Sequence, residues 1–154
     1  MLYQPNPIDE AASRAIAGTP KSAADELLWA ERKNHVTHKF CISVLTDASG
    51  ATIPGLTLVF EVKAPIHVNA CLYQFTVLKL THGLRQRAYQ LEVLPREKCG
   101  HRGLSGAIYD PHEHVGEAVY AVDDPTVSCM DWAGCLAWFC TRCNLAKPII
   151  EPPC

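Results

Sequence analysis

The stretch LYQFTVLKLTHGLRQRAYQLEV, residues 72–93, decides the fold expected of this chain. Apolar and polar residues alternate in its first half, about 72–80, and alternate again over 87–93. Side chains alternate between the two faces of a strand, so this period of two predicts two half-buried strands. The short link at His82–Gly83 predicts a turn between them. The stretch therefore predicts an antiparallel hairpin.

Similar alternation extends on both sides of this hairpin. Residues 38–44 and 56–62 alternate, with turn residues at 47–50 between them. A fifth strand is expected at about His112 to Val122. Short turns between successive strands indicate hairpins, so we predict an α+β fold with an antiparallel meander sheet of about five strands. The connection from Pro95 to Pro111 is long and contains three glycines, and long irregular loops are often functional.

Helical signals lie at the two ends of the chain. Asn6 as a cap with Pro7 in the first turn predicts a helix that ends at Gly18. Thr19–Pro20 or Ser22 can start a second helix. We expect a single domain over residues 1–154, with a helical N-terminal arm at 1–33 that packs on the body or on another copy of the chain, and the sheet and C-terminal helix at 34–154.

The C-terminal helix is predicted from Ser128, with Asp131 three residues later in near capping-box spacing, to a stop before Pro148. Its sequence is apolar on nearly all sides, which is typical of a buried helix. We therefore expect it to lie across one face of the sheet and to supply much of the core.

Composition excludes several function classes. The chain has 154 residues, 48% of them hydrophobic and 19% charged, with a net charge of −2. This composition is that of an ordinary globular protein. The slightly negative net charge argues against a large basic surface that binds nucleic acid, but it is compatible with a local basic site. No apolar run approaches the roughly 20 residues that span a bilayer, so no membrane partner is expected.

Eight cysteines are a high count for this length. Residues 1–5 lack the charged and apolar regions of a secretory signal, which favours a cytoplasmic, reduced protein. We therefore expect thiols or metal ligands rather than a disulfide framework, with most cysteines filling the core. Cys140 and Cys143 form a CxxC pair near the end of the predicted helix, where the dipole disfavours a thiolate. Packing against the sheet is the default for this pair, and a structural zinc site is its alternative.

The main functional signal is the pair His112 and His114, which a strand would place on one face. Two adjacent imidazoles suit acid–base catalysis, in which one takes a proton and the other donates one. In that interpretation His101 assists, and Arg87 or another nearby arginine (Arg85, Arg96, Arg102) binds a phosphate. The pair also suits a metal, zinc or another transition metal, with Cys99 and His101 completing the ligands. A third interpretation is two surface histidines on an edge strand.

The order of features in the second half resembles a known group of proteins. A strand with Tyr89, Leu91 and Val93 leads through His101 to Pro111, His112, His114 and Gly116, and a helix then ends in Phe139–Leu145. This pattern is similar to small prokaryotic proteins of mobile elements and toxin–antitoxin loci, including the TumE-type toxins. It covers about Arg87 to Leu145. The resemblance implies a cytosolic bacterial or phage protein and a toxin that harms RNA or translation, with His112 and His114 at the matching positions.

Two functions are therefore expected as alternatives. The first is a small cytosolic toxin-like enzyme, a metal-independent ribonuclease or an enzyme that acts on nucleotides, with His112 and His114 as acid and base. The second is a non-catalytic phage or mobile-element protein that binds a host protein or an antitoxin. In the second case the histidines are structural or hold a metal.

Overall fold

The computed structural model describes residues 8–33, 35–63, 71–94, 99–103, 106–109 and 111–153. For 35–37, 99–103 and 106–109 the backbone is described. Two helices and ten strands occur in these ranges. In chain order they are α1 Glu10–Gly18, β1 Ser22–Ala23, β2 Ala30–Arg32, β3 His35–Thr46, β4 Thr52–Lys63, β5 Leu72–Thr81, β6 Leu84–Val93, β7 Cys99–Gly103, β8 Gly106–Tyr109, β9 His112–Val115, β10 Ala118–Ala121 and α2 Trp132–Arg142.

The fold is an antiparallel sheet with two helices, as the period-two pattern predicted. The main sheet runs in the order β1-β3-β4-β5-β6-β9-β10, and β2 also pairs with β3. All of these pairs are antiparallel. The β5–β6 hairpin turns at His82 and Gly83, both in the left-handed region with φ of 50° and 79°. The hairpin that residues 72–93 predicted is thus confirmed, and it forms the middle of the sheet.

The expected strand number of about five was too low. Eight strands form the main sheet of the described residues, and β7 and β8 form a separate hairpin. Two additional strands come from the N-terminal segment: Ser22–Ala23 pairs with Leu45–Thr46, and Ala30 pairs with Phe40. Strands of two or three residues are too short to display an alternation, so only their tertiary partner β3 defines them.

The predicted fifth strand is two strands, β9 and β10, that turn at Gly116. This glycine has a φ of +61°, which other residues rarely adopt. A Cβ at this position would also clash with the carbonyl oxygens of Ile8 and Asp9, just before α1. The expected irregular connection between Pro95 and Pro111 contains the β7–β8 hairpin among its described residues.

The N-terminal segment is helical only in part. Helix α1 begins after Asp9, whose Oδ1 accepts a hydrogen bond from the Ala12 amide at 2.7 Å, and it ends at Gly18 as predicted. The predicted cap at Asn6, which lies outside the described residues, was therefore too early. The second helix expected from Thr19 or Ser22 was wrong, because β1 and β2 occupy this segment. Pairing with β3 satisfies the backbone there and overrides the local helix signals.

Helix α2 packs on one face of the sheet through its aromatic residues. The Phe139 ring contacts the rings of Phe60, Phe75 and Tyr89, with centroids 5.4 to 5.8 Å apart. The Trp132 ring stacks on Phe75 at 5.2 Å. These rings lie in the core, in which Phe60, Phe75 and Phe139 are fully buried.

Only one side of α2 is buried, which corrects the expectation of burial on all sides. Ala133, Ala137 and Thr141 are exposed. Asp131, rather than Ser128, is the N-cap and accepts from the Gly134 amide at 2.7 Å. The helix ends at Arg142, several residues before Pro148, because left-handed Asn144 (φ 48°) closes it. In the described part of the chain, neither helix is long and apolar enough to cross a membrane.

The six cysteines whose side chains the structure describes divide into two groups. Cys71, just before β5, and Cys129, just before α2, form a disulfide with a Cα–Cα distance of 5.9 Å. The expectation that the cysteines form no disulfide was therefore wrong for this pair, because their proximity depends on how α2 packs on β5. The thiols at 41, 135, 140 and 143 are free and buried, as expected of core cysteines.

Candidate functional site

Strand β9 places His112 and His114 on the same face of the sheet, as their spacing predicted. Glu113, between them, faces α2, so the two imidazoles project from the opposite face. Both histidines are buried, with exposed fractions of 0% and 3%. Their Nε2 atoms lie 3.1 Å apart. The interpretation as two exposed surface histidines is therefore wrong.

A third side chain, Glu92, joins this pair. Strand β6 runs antiparallel to β9 with Glu92 opposite His112 and Gln90 opposite His114. The Glu92 Oε2 atom lies 3.9 Å from the His112 Nε2 atom, and the ligand atoms of all three residues lie within 4.8 Å of one another. The sequence prediction missed Glu92. Alternation on β6 placed it away from the core, but only the register between β6 and β9 brings it to the histidines.

Polar side chains of β5 and β6 surround the cluster. Gln74 lies opposite Glu92 on β5, and its Nε2 donates to Glu92 Oε2 at 3.3 Å. Gln90 Nε2 donates to the Thr76 hydroxyl at 2.9 Å. The face of the sheet away from α2 thus carries two polar rows, Gln74–Glu92–His112 and Thr76–Gln90–His114, across three strands.

The other predicted site residues have different outcomes. Arg87 reaches this polar area, since its Nη1 donates to Gln90 Oε1 at 3.4 Å. Cys99 and His101 have their backbones in β7, but their side chains lie outside the described residues. Whether they join His112 and His114 stays a prediction. The backbone of their hairpin contacts the main sheet where β8 meets β10.

On the α2 side of β9, the Glu113 carboxylate accepts hydrogen bonds from two neighbouring side chains. Its Oε2 accepts from the Tyr89 hydroxyl at 2.6 Å and from Arg142 Nε at 3.2 Å, and its Oε1 accepts from Arg142 Nη2 at 2.6 Å. Burial and the nearby Glu113 charge raise the pKa of Tyr89 far above its usual range. Tyr89 is therefore a neutral donor, and the network ties β9 and β6 to α2.

The CxxC pair has the properties of core cysteines. Burial raises the pKa of Cys140 to about 11, and it also raises the pKa of Cys143. Thiols that stay protonated at neutral pH are poor nucleophiles. Among the side chains that the structure describes, the one group of three with metal-ligand spacing is Glu92, His112 and His114.

Comparison of the chain with protein-family models, with curated proteins and with solved structures gives no match. The resemblance to TumE-type toxins therefore stays a prediction. The chemistry of the site is inferred from its own residues.

Proposed function

We propose that this protein binds a divalent transition metal, such as zinc, through Glu92, His112 and His114. The observation that carries the proposal is the convergence of two buried imidazole nitrogens and a partly exposed carboxylate oxygen within 4.8 Å of one another. Nitrogen and carboxylate oxygen donors are the set that zinc and related metals take in proteins.

The distance between the two histidine nitrogens suits ligands that bind the same metal ion. Ligand atoms about 2.1 Å from one ion lie about 3.4 Å apart in a tetrahedron and about 3.0 Å apart in an octahedron. The two Nε2 atoms, at 3.1 Å, fall between these values. Glu92 Oε2 is farther away, 3.9 Å from His112 Nε2 and within 4.8 Å of the His114 ligand nitrogen, so metal binding requires this partly exposed side chain to rotate toward the histidines.

The number of donors favours a site with an open position. Structural zinc sites use four protein ligands, whereas catalytic sites commonly use three and leave a position for water or substrate. Two histidines and one carboxylate are such a three-ligand set. Gln74 supports it as an outer partner, because its hydrogen bond orients the Glu92 carboxylate.

The geometry favours metal binding over metal-free acid–base catalysis. An acid and a base that act on a phosphodiester need room for the phosphate between them. The Nε2 atoms of His112 and His114 are in direct contact at 3.1 Å. The toxin-like ribonuclease, its antitoxin or host partner and its cytoplasmic location stay predictions.

The test is the metal content of the purified protein after complete chelation and reloading with zinc or cobalt. We expect about one equivalent, and with cobalt the visible absorption of a nitrogen–oxygen site. The double variant His112→Gln/His114→Gln, which keeps polar side chains of similar volume, is expected to hold less than about a tenth of an equivalent. Glu92→Gln is expected to weaken binding.

Two matched controls lie outside the cluster. His82→Asn replaces an exposed histidine with a residue that tolerates the left-handed turn, and Glu117→Gln replaces an exposed carboxylate. Both are expected to bind metal like the wild type. A wild-type protein that stays metal-free after reloading, or a folded double variant that keeps its metal, would contradict the proposal.

A further inference from the structure

A cavity of about 460 Å³ lies between α2 and the segment that follows it. Eight of its ten lining residues are apolar, and the wall includes Trp132, Leu136, Leu145 and Ile150. This volume is within the range of small-molecule sites, which are mostly apolar with a few polar groups. The cavity is on the α2 side of the sheet, whereas His112 and His114 project from the other side.

The outer wall of the cavity is held in place by the rest of the chain. The carbonyl of Ile149 accepts from the Leu27 amide at 2.9 Å, and the carbonyl of Glu151 accepts from the Trp29 indole at 2.7 Å. The Ala146 amide donates to the Lys21 carbonyl at 2.9 Å. Hydrogen bonds at three points along this segment make the cavity preformed, which lowers the entropic cost of binding.

The one charged side chain among the lining residues of the cavity is positive. Lys147 lines it and is exposed, and none of the described residues that line it is acidic. The other polar lining residue, Thr141, carries a neutral hydroxyl. An apolar space beside a single ammonium group is complementary to a molecule with an apolar body and one negative charge.

We propose that this cavity binds a small aliphatic carboxylate, with its alkyl chain against Trp132, Leu136 and Ile150 and its carboxylate paired with Lys147. The apolar wall supplies the affinity through burial of the chain, and the ammonium group selects an anion over a neutral or cationic analogue. This binding function is independent of the proposed metal site.

The test uses sodium octanoate as the probe, titrated by calorimetry into the 154-residue protein at octanoate concentrations below the micellar concentration. We expect saturable binding of one molecule, with affinity that rises roughly fourfold for each methylene added from hexanoate to decanoate. Octylammonium is expected to bind more weakly than octanoate. No saturable binding, or octylammonium that binds as tightly as octanoate, overturns the proposal.

Variants locate the binding in the cavity. Ala133→Trp, at an exposed position of α2 that lines the cavity, fills the space and is expected to abolish octanoate binding while the circular dichroism stays unchanged. Lys147→Ala is expected to weaken octanoate up to about fivefold, because the ion pair is exposed, and to leave octanol unaffected. Lys79→Ala, an exposed lysine of β5, is the matched control and should change neither ligand.

Full binding to a folded Ala133→Trp protein would place octanoate elsewhere and overturn the proposal. A dimer in light scattering that Ala133→Trp disrupts, together with no octanoate binding, would assign the cavity to a second copy of the chain.

Discussion

The two faces of strand β9 carry opposite kinds of polar chemistry. Toward α2, Glu113 meets donors, the Tyr89 hydroxyl and the Arg142 guanidinium. On the other face, two imidazole nitrogens and the Glu92 carboxylate converge, all of them atoms that can offer lone pairs. Hydrogen-bond donors satisfy Glu113 on the first face, whereas the second face carries the donor atoms of the proposed metal site. Under the proposed function, burial of polar groups serves stability on one face and metal binding on the other.

The largest expected effect is on the α2 face. Phe139→Ala removes a fully buried ring that contacts three other rings. We expect the free energy of unfolding in urea to fall by about 4 kcal/mol, with one metal equivalent still bound in native buffer. Ala137→Gly on the exposed side of α2 is the control and should cost no more than about 1 kcal/mol. If Phe139→Ala abolished metal binding in the folded protein, the two faces would not be independent.

Tyr89→Phe removes one donor from Glu113 and leaves Glu92, His112 and His114 on the other face of the sheet unchanged. The lost hydrogen bond joins a buried hydroxyl to a carboxylate at 2.6 Å, so we expect a loss of about 2 kcal/mol in the free energy of unfolding. Tyr120→Phe is a matched control, because Tyr120 also donates to a glutamate, Glu10, but lies exposed. Its expected loss is within about 0.5 kcal/mol. Equal losses would show that burial does not distinguish the two contacts.

Gln74→Ala acts only on the face of the sheet that carries the proposed metal site. Without the Gln74 hydrogen bond the Glu92 carboxylate is less well oriented, and we expect the metal affinity to fall about tenfold. The free energy of unfolding of the metal-free protein should change little. A competition titration with a chromophoric chelator measures the affinity, and Gln86→Ala, near the β5–β6 turn, is the control. An unchanged affinity would remove Gln74 from the site.

The smallest expected effect concerns the alkaline pH dependence of the α2 face. The pKa of the Cys140 thiol is about 9 in the unfolded chain and is raised to about 11 in the fold by burial. Above pH 9 the unfolded chain therefore binds fewer protons than the folded one, and the free energy of unfolding falls as pH rises. Between pH 8 and 9.5 the free energy of unfolding of Cys140→Ala is expected to fall by about 0.8 kcal/mol less than that of the wild type. Identical profiles would show that Cys140 titrates normally in the fold.

Particular residues show how far the sequence could predict this structure. The 72–93 hairpin and the shared face of His112 and His114 follow from alternation, which is a local property of extended chains. Strands β1 and β2 were missed, because partners on β3 decide them and their own length shows no pattern. Glu92 was missed for a related reason, since it joins the histidines only through the register of β6 against β9.

The cysteines show the same difference between what the local sequence predicts and what only the tertiary structure decides. Their number and the absence of a recognisable metal motif could be read directly, but the Cys71–Cys129 bond could not. These residues are 58 positions apart, and only the packing of α2 on the sheet brings their Cα atoms to 5.9 Å. The same packing leaves one side of α2 open to the cavity near Lys147.

The sequence by itself determined the antiparallel sheet, the C-terminal helix and the common face of the two histidines, because each depends on residues that are neighbours in the chain. Only the tertiary structure decided the third member of the cluster, the disulfide, the N-terminal strands and the anchoring of Glu113 to α2. Each of these depends on strand register and helix packing, which join residues far apart in the chain and which no local period encodes.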